Sequence, residues 1–299
     1  MTTRLLACRI VACLGALVFL AACGGSSTAA TPGVQAGPVR SVAITGYAGI
    51  AMEPFISRDG STLFFNDSND PSNNTDIFYA TRVDDTTYAF AGRVAGLATP
   101  SLEGTPTMDR NGRFYFVTTR DYAATSCTLY TARYAAGAAS GVAVVDSICR
   151  HEPGIVNFDV DIDAAGTLMT FVDGRFTGAA MPQAAELVMA AWDGSRFVRL
   201  PDSAALLAAI NRGGLQYAPA LSADRLTLWF TRLASGSSAP QIWRARRAAV
   251  SAAFEAPVHI EGLGDFVEAP ALSAGETLLY FHRKEGTGYR IFTVPTPSP

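Results

Sequence analysis

Glu53-Pro54-Phe55-Ile56-Ser57-Arg58-Asp59-Gly60-Ser61-Thr62-Leu63-Phe64-Phe65 is the first of five variants of one phrase. The others read TPTMDRNGRFYFV from Thr105, DVDIDAAGTLMTF from Asp159, APALSADRLTLWF from Ala218 and APALSAGETLLYF from Ala269. The second position of each copy, Pro54, Pro106, Val160, Pro219 and Pro270, advances by 52, 54, 59 and 51 residues. A period of that size with strand-like content marks propeller blades, because one four-stranded unit cannot bury both faces alone and must stack on neighbours. Five copies predict an all-β, five-bladed β-propeller.

Within each copy an apolar residue is followed by Ser57, Asp109, Asp163, Ser222 or Ser273, whose side chains bond the backbone just ahead and favour a bend. Gly60, Gly112 and Gly166 then occupy the place where a hairpin needs positive φ. Arg225 and Glu276 stand there in the last two copies, so those turns are expected to differ in geometry. The apolar runs that follow, such as Phe114-Tyr115-Phe116-Val117, are too continuous for a sheet wetted on one face and suit strands covered on both.

The fifth copy ends at Phe292-Thr293-Val294 with only Pro295 to Pro299 beyond, so it lacks a fourth strand. Val39-Arg40-Ser41-Val42-Ala43-Ile44 precedes the first copy as a fourth strand should. It is expected to complete the last blade and close the ring, removing open edges. The repeat resembles the TolB-type, WD-like propeller motif, a proline, an apolar residue, Ser-Pro-Asp-Gly and a β-run. Ile56-Ser57-Arg58-Asp59-Gly60 comes nearest; the inner proline is absent from every copy, and five copies stand where that family usually has six. The resemblance spans residues 39 to 295 and implies fold alone.

The N-terminus carries Arg4 and Arg9, an apolar stretch from Ile10 to Leu20, then Leu20-Ala21-Ala22-Cys23-Gly24. That is a signal peptide, too short to span a membrane. Leu-Ala-Ala-Cys resembles the bacterial lipobox, which implies removal of residues 1–22, a lipidated Cys23, and a stable anchor from several acyl chains at ~0.8 kcal/mol per buried methylene. An ordinary secretory signal is the other reading. Gly24 after the cysteine implies outer-membrane sorting in a Gram-negative host, facing the periplasm. Residues 23–38, rich in Gly, Ser, Ala, Thr and Pro, read as a flexible tether, and 39–299 as the propeller.

The chain has 23 basic and 26 acidic residues; losing Arg4 and Arg9 with the signal leaves 21 basic, so the mature charge is about −5. Lys284 is the sole lysine, and nucleic-acid binding lacks an electrostatic footprint. Cys8 and Cys13 leave with the signal, so Cys127 and Cys149 remain to the fold. In an oxidising envelope they are expected to form a disulfide in blade two, contributing ~3 kcal/mol, with two buried thiols as the alternative.

Catalytic patterns are sparse. His151, His259 and His282 lie in three different blades without ligand spacing and read as surface or loop residues; no metal or cofactor is expected. The run from Asn66 to Asp76 is oxygen-rich but lacks the glycine and terminal glutamate of an EF-hand loop, so it reads as a solvated hairpin tip. Ser203 to Ile210, after Asp202, reads as a short capped helix.

The suggestive set lies where the innermost strands begin: Glu53, Glu103, Asp159, Gln216, Tyr217 and Glu268, with Phe158 and Phe266 beside them. Equivalent positions in successive blades converge on one channel mouth, where carboxylates and aromatics suit a carbohydrate, a cationic ligand or a peptide; they also read as residues that merely solvate the rim. Asp161 replaces Phe55, Thr107, Ala220 and Ala271 of the other copies, so it must be paired, protonated or engaged with a ligand. The leading expectation is a non-catalytic binding or assembly module with a protein or glycan partner at the mouth. The rival is a glycan hydrolase, since five-bladed furanoside hydrolases carry three carboxylates there. Asp159, Glu103 and Glu53 would be its candidates.

Overall fold

In the computed structural model, which describes residues 33–70, 72–179 and 181–297, five sheets, each built on four antiparallel strands, surround one axis. Listed from axis to rim, blade one comprises Met52–Ile56, Thr62–Asn66, Ile77–Arg82 and Thr87–Arg93. Blade two comprises Glu103–Met108, Arg113–Thr118, Leu129–Ala135 and Ala138–Val144. Blade three is Ile155–Ile162, Leu168–Arg175, Ala184–Trp192 and Phe197–Arg199; blade four is Gly214–Leu221, Thr227–Ala234, Gln241–Arg246 and Val258–Glu261. Blade five has Val267–Leu272, Leu278–Glu285 and Gly288–Pro295 from the C-terminus and Arg40–Ser41 from the N-terminal segment.

The described residues share no single core. Apolar side chains gather in five wedges between adjacent blades. The second strand of blade one shows why its run is uninterrupted: Leu63, Phe64 and Phe65 are all fully buried. Alternation sends Phe64 toward Phe114 and Phe116 of blade two, and Leu63 and Phe65 toward Tyr280 and Ile291 of blade five. Each such side chain contributes roughly 1.5–3 kcal/mol by leaving water.

Closure follows the expected route, with a finer division of labour. Arg40 and Ser41 pair with Thr293 and Phe292, and Val42 N–H donates to Ile291 O (2.9 Å). Ala43–Thr45 then crosses to blade one and pairs in parallel with Thr87–Ala89. Tyr47 seats its ring 5.0 Å from both Phe65 and Phe90. Upstream, Val34–Gln35, read from sequence as tether, pairs in parallel with Ile260–Glu261 on the rim of blade four. The segment therefore laces three blades. Cys23 and the signal region lie outside the described residues.

The turn expectation fails for the last two copies. Arg225 (φ 62°) and Glu276 (φ 54°) adopt the same left-handed backbone as Gly60, Gly112 and Gly166 (φ 72° to 77°). All five close the same bond, for example Arg225 N–H to Ser222 O (2.8 Å) and Gly60 N–H to Ser57 O (2.7 Å). What glycine does by lacking a Cβ, the other two do by anchoring: Arg225 donates to Asp163 and Thr167 in the turn of blade three, and Glu276 accepts from Ala223 N–H in the turn of blade four.

Cys127 and Cys149 form a disulfide with Cα atoms 5.6 Å apart. Cys127 lies just before the third strand of blade two, and Cys149 beyond its fourth strand, after the 3-10 turn Asp146–Ile148. The bridge thus ties connecting loops rather than paired strand positions. The helix after Asp202 is a single turn, Ser203–Leu206, without a side-chain cap. Leu206, Leu207 and Ile210 fill the wedge between blades three and four.

Candidate functional site at the channel mouth

Every innermost strand is interrupted by a bulge at the residue before the repeat's second position. Glu53, Thr105, Asp159, Ala218 and Ala269 all have φ between 48° and 54°. Strand register slips there in all five blades. A bulge leaves one residue out of the ladder, which is why proline, lacking an N–H, serves at four of the five following positions. A non-glycine residue in this region costs about 1–2 kcal/mol, so the conformation needs support.

Support comes from the neighbouring blade. Thr105 N–H donates to Asn66 Oδ1 (3.1 Å), Ala269 N–H to Thr231 Oγ1 (2.9 Å) and Glu53 N–H to His282 Nδ1 (3.1 Å). Asn66, Thr231 and His282 are equivalent positions on second strands. Blade three has Val172 there, which offers no acceptor, and Asp159 Oδ2 takes its place for Ala218 N–H (3.0 Å). One Asp159 oxygen is thereby assigned to structure.

His282, read from sequence as peripheral, has no exposed surface. Its Nδ1 accepts from Glu53 N–H while Nε2 lies 3.2 Å from Glu268 Oε2. Only the neutral tautomer with the proton on Nε2 satisfies both contacts. Glu268 Oε1 accepts from the Tyr217 hydroxyl. Asn69, from the polar hairpin, folds back and donates to Glu53 Oε1 (2.8 Å). Phe158 stands 6.3 Å from Tyr217, and Tyr289 stands perpendicular to His282 at 5.2 Å. Glu53, Asp159, Tyr217 and Glu268 thus share one mouth.

Electrostatics there are one-sided. Burial, then the charges of Asp159 and Glu268, push the Glu53 carboxyl well above its usual range, and the Asn69 bond only partly opposes them. Burial pushes Asp159 up to about 7 against the pull of Ala218 N–H, with Glu268 adding to the rise. Burial and then the Glu268 charge raise the Tyr217 hydroxyl well above its ordinary value. No ion pair reaches Glu53 or Asp159 among the described residues.

Glu103 and Gln216 are not brought to the mouth. They sit two residues before the bulge, where the side chain faces away from the axis. The Glu103 carboxylate is fully buried and accepts from Thr99 N–H (3.0 Å), the Thr99 and Thr118 hydroxyls (2.6 and 3.0 Å) and Arg120 (3.3 Å). Gln216 donates to Arg212 O (2.9 Å) and borders a cavity of about 350 Å³ between blades three and four. Asp161 lies two residues further along the same strand, toward the turn end of the channel, its floor as seen from the mouth. Arg58 crosses from the turn of blade one to reach its Oδ1 (3.0 Å), Thr107 of blade two donates to the same oxygen (3.2 Å), and Leu221 N–H of blade four meets Oδ2 (2.8 Å). Burial nevertheless keeps its carboxyl above the usual range. Between mouth and floor the channel holds only about 50 Å³, ringed by Pro54, Pro106, Val160, Pro219 and Pro270. Among the described residues no group of three His, Cys, Asp or Glu could hold a metal ion.

No family model matches the chain, and no curated protein does. Solved structures share its fold. TolB from Acinetobacter baumannii is 13% identical with a TM-score of 0.49, over 87% of this chain and 54% of that one. This chain therefore spans about half the length of that protein. Zg3597, a family 117 glycoside hydrolase of the marine bacterium Zobellia galactanivorans, is 12% identical over 87% of this chain and 91% of that one, at a TM-score of 0.57. The α-L-arabinofuranosidase PaAbf62A of Podospora anserina, solved with cellotriose, is 10% identical over 89% and 97%, at 0.54. At such identities the likeness is one of fold.

Proposed function

We infer that the chain is a lipid-anchored bacterial envelope protein, at the outer membrane and facing the periplasm, whose propeller is a non-catalytic binding module presenting its channel mouth to a protein partner. The observation that carries the binding reading is the size and use of the channel. About 50 Å³ admits a few water molecules and no sugar ring. Of the three carboxylates that a glycan hydrolase would need, Glu103 is caged by threonines and Arg120, and Asp159 has one oxygen committed to the next blade. The anchor rests on Leu20-Ala21-Ala22-Cys23. Crosslinking in the intact envelope followed by capture of the full chain is expected to recover a protein partner, and a labelled fatty acid is expected on the wild type but not on Cys23→Ala. Turnover of aryl furanosides or pyranosides that disappears in Asp159→Asn would establish the hydrolase instead.

A further inference from the structure

Blade four carries a buried cation that no anion offsets. Arg232, on its second strand, is 8% exposed, and its guanidinium lies 4.5 Å over the ring of Trp243 on the third strand. Nη2 donates to Ile210 O (2.8 Å); Nε is buried without a partner, and so is Nε1 of Trp243. Arg58, Arg120 and Arg199 each meet a carboxylate, whereas no ion pair reaches Arg232 among the described residues. Burial alone pulls its guanidinium down to about 10. Beside it, between blades three and four, opens the cavity of about 350 Å³. Gln216, the cross-strand neighbour of Arg232, lines that cavity, as do Leu233, the next residue, and Asn211, which follows Ile210 in the connecting loop.

We propose that this seam is a second binding site, one for a small-molecule carboxylate that enters through the cavity and meets Arg232 and Trp243. It goes beyond the reading of the mouth and does not depend on it. Arginine brings five donors and no acceptor, and the indole one donor and no acceptor, so whatever satisfies both must accept from both. Water accepts, yet it leaves the buried charge unanswered. A carboxylate supplies two oxygens in the plane that a guanidinium fork matches, and the counter-charge with them. A cavity of about 350 Å³ is of the size that holds a small organic ligand. Glu186, an acidic group on the cavity wall, sets its charge against a dianion such as phosphate. Gln183 and Ser235, exposed on the same wall, offer neutral donors to the body of the ligand. Arg232 itself lies behind the wall, and Gln216, whose amide donates to Arg212 O, is the wall residue that faces it across the strand pair and must turn aside.

The test is calorimetric titration of the detergent-solubilised full chain with N-acetylglycine, an acylated amino acid, and with glucuronate, a sugar acid. Saturable binding of at least one is expected, with none for N-acetylglycinamide, which lacks the charge, and weaker binding of inorganic phosphate. The tighter of the two carboxylates tells one source from the other. Arg232→Met keeps an apolar stem against the Trp243 ring and removes every donor. It is expected to abolish binding while still unfolding cooperatively. Trp243→Phe keeps a ring beneath the guanidinium, removes one hydrogen bond to a charged group, and should weaken binding about tenfold or more. No saturation by either carboxylate, equal binding of N-acetylglycinamide, the same heat from sodium chloride at matched ionic strength, or unchanged binding in both variants would overturn the proposal. Tighter binding of phosphate would overturn the assignment to a carboxylate. Should Arg232→Met fail to fold, Trp243→Phe decides alone.

Discussion

Asp159 and Asp161 stand two residues apart on the innermost strand of blade three, line the same channel and are both nine-tenths buried, yet their surroundings are opposite. Asp161, at the floor, is held by a guanidinium, a hydroxyl and an amide from three other blades. Asp159, at the mouth, has one amide and two neighbouring carboxylates. The floor is a finished joint, with a charge, its counter-charge and no spare capacity. The mouth is a joint of another kind: its carboxyls meet no counter-charge among the described residues, and burial answers by raising their hold on protons.

Both ends depend on the closed ring, so the largest effect is expected from opening it. A chain beginning at Ala51 loses the pairing of Arg40–Ser41 and Ala43–Thr45, the burial of Val42 and the seat of Tyr47 among Phe65, Phe78 and Phe90. Ladder bonds at ~0.5–1.5 kcal/mol each plus that burial sum to about 5 kcal/mol or more. It also exposes Gly288–Pro295 as an open edge. A much lower melting temperature with concentration-dependent association is expected. Equal melting temperatures would place the segment outside the cooperative unit.

At the floor, Arg58→Ala leaves Asp161 buried without its cation and should cost about 3–5 kcal/mol in urea unfolding. Adding Asp161→Asn should recover much of that loss, because the amide oxygen still accepts from Leu221 N–H and no charge remains. A double variant as unstable as the single one would mean that Arg58 acts through its bonds to Met108 O and Ile162 O and its packing on Phe55, 5.2 Å away, rather than through the charge of Asp161.

At the mouth the sign reverses. Asp159 is raised from an ordinary 3.8 to about 7, so between those values the folded state holds a proton that the unfolded chain has released. Stability from this group is therefore full below pH 4 and is lost as pH rises through about 7. One proton allows a slope of at most about 1.4 kcal/mol per pH unit. Asp159→Asn is expected to flatten that decline and to be more stable than wild type at pH 8. A variant with the wild-type slope would assign the decline to the other raised carboxyls, Glu53 and Asp161 among them.

How far all this was readable from sequence depends on the range of each interaction. The period, the blade count and the closing role of Val39 to Ile44 rest on local pattern, and local pattern survives folding. The bulge does not announce itself, because Glu53, Thr105, Asp159, Ala218 and Ala269 share no side-chain property that favours φ near 50°. The common proline after four of them was its one trace. Missing the bulge misplaces Glu103 and Gln216, since facing direction must be counted across the irregularity. His282 is hidden from a sequence reading for a different reason: its two bonds reach Glu53, 229 residues away, and Glu268 across a strand pair. Asn66, Thr231 and His282, polar residues directly following apolar strand runs, are the signal in the sequence for the bonds that hold the bulges.

The smallest effect is expected at the floor's outer turns, where two chemistries reach one backbone. In blade five Glu276 carries φ 54° and accepts from Ala223 N–H of blade four, while blades one to three place glycine at the same point. Glu276→Gly removes about 1 kcal/mol of left-handed strain and about 1 kcal/mol of hydrogen bond together, so its stability should stay within about 0.5 kcal/mol of wild type. Glu276→Ala removes the bond and keeps the strain, and should cost about 1 kcal/mol more than the glycine variant. If both substitutions were equally harmless, the bond to Ala223 would be contributing nothing. The left-handed turn would then be imposed by Ser273 and the strands it joins, as it is in the glycine copies.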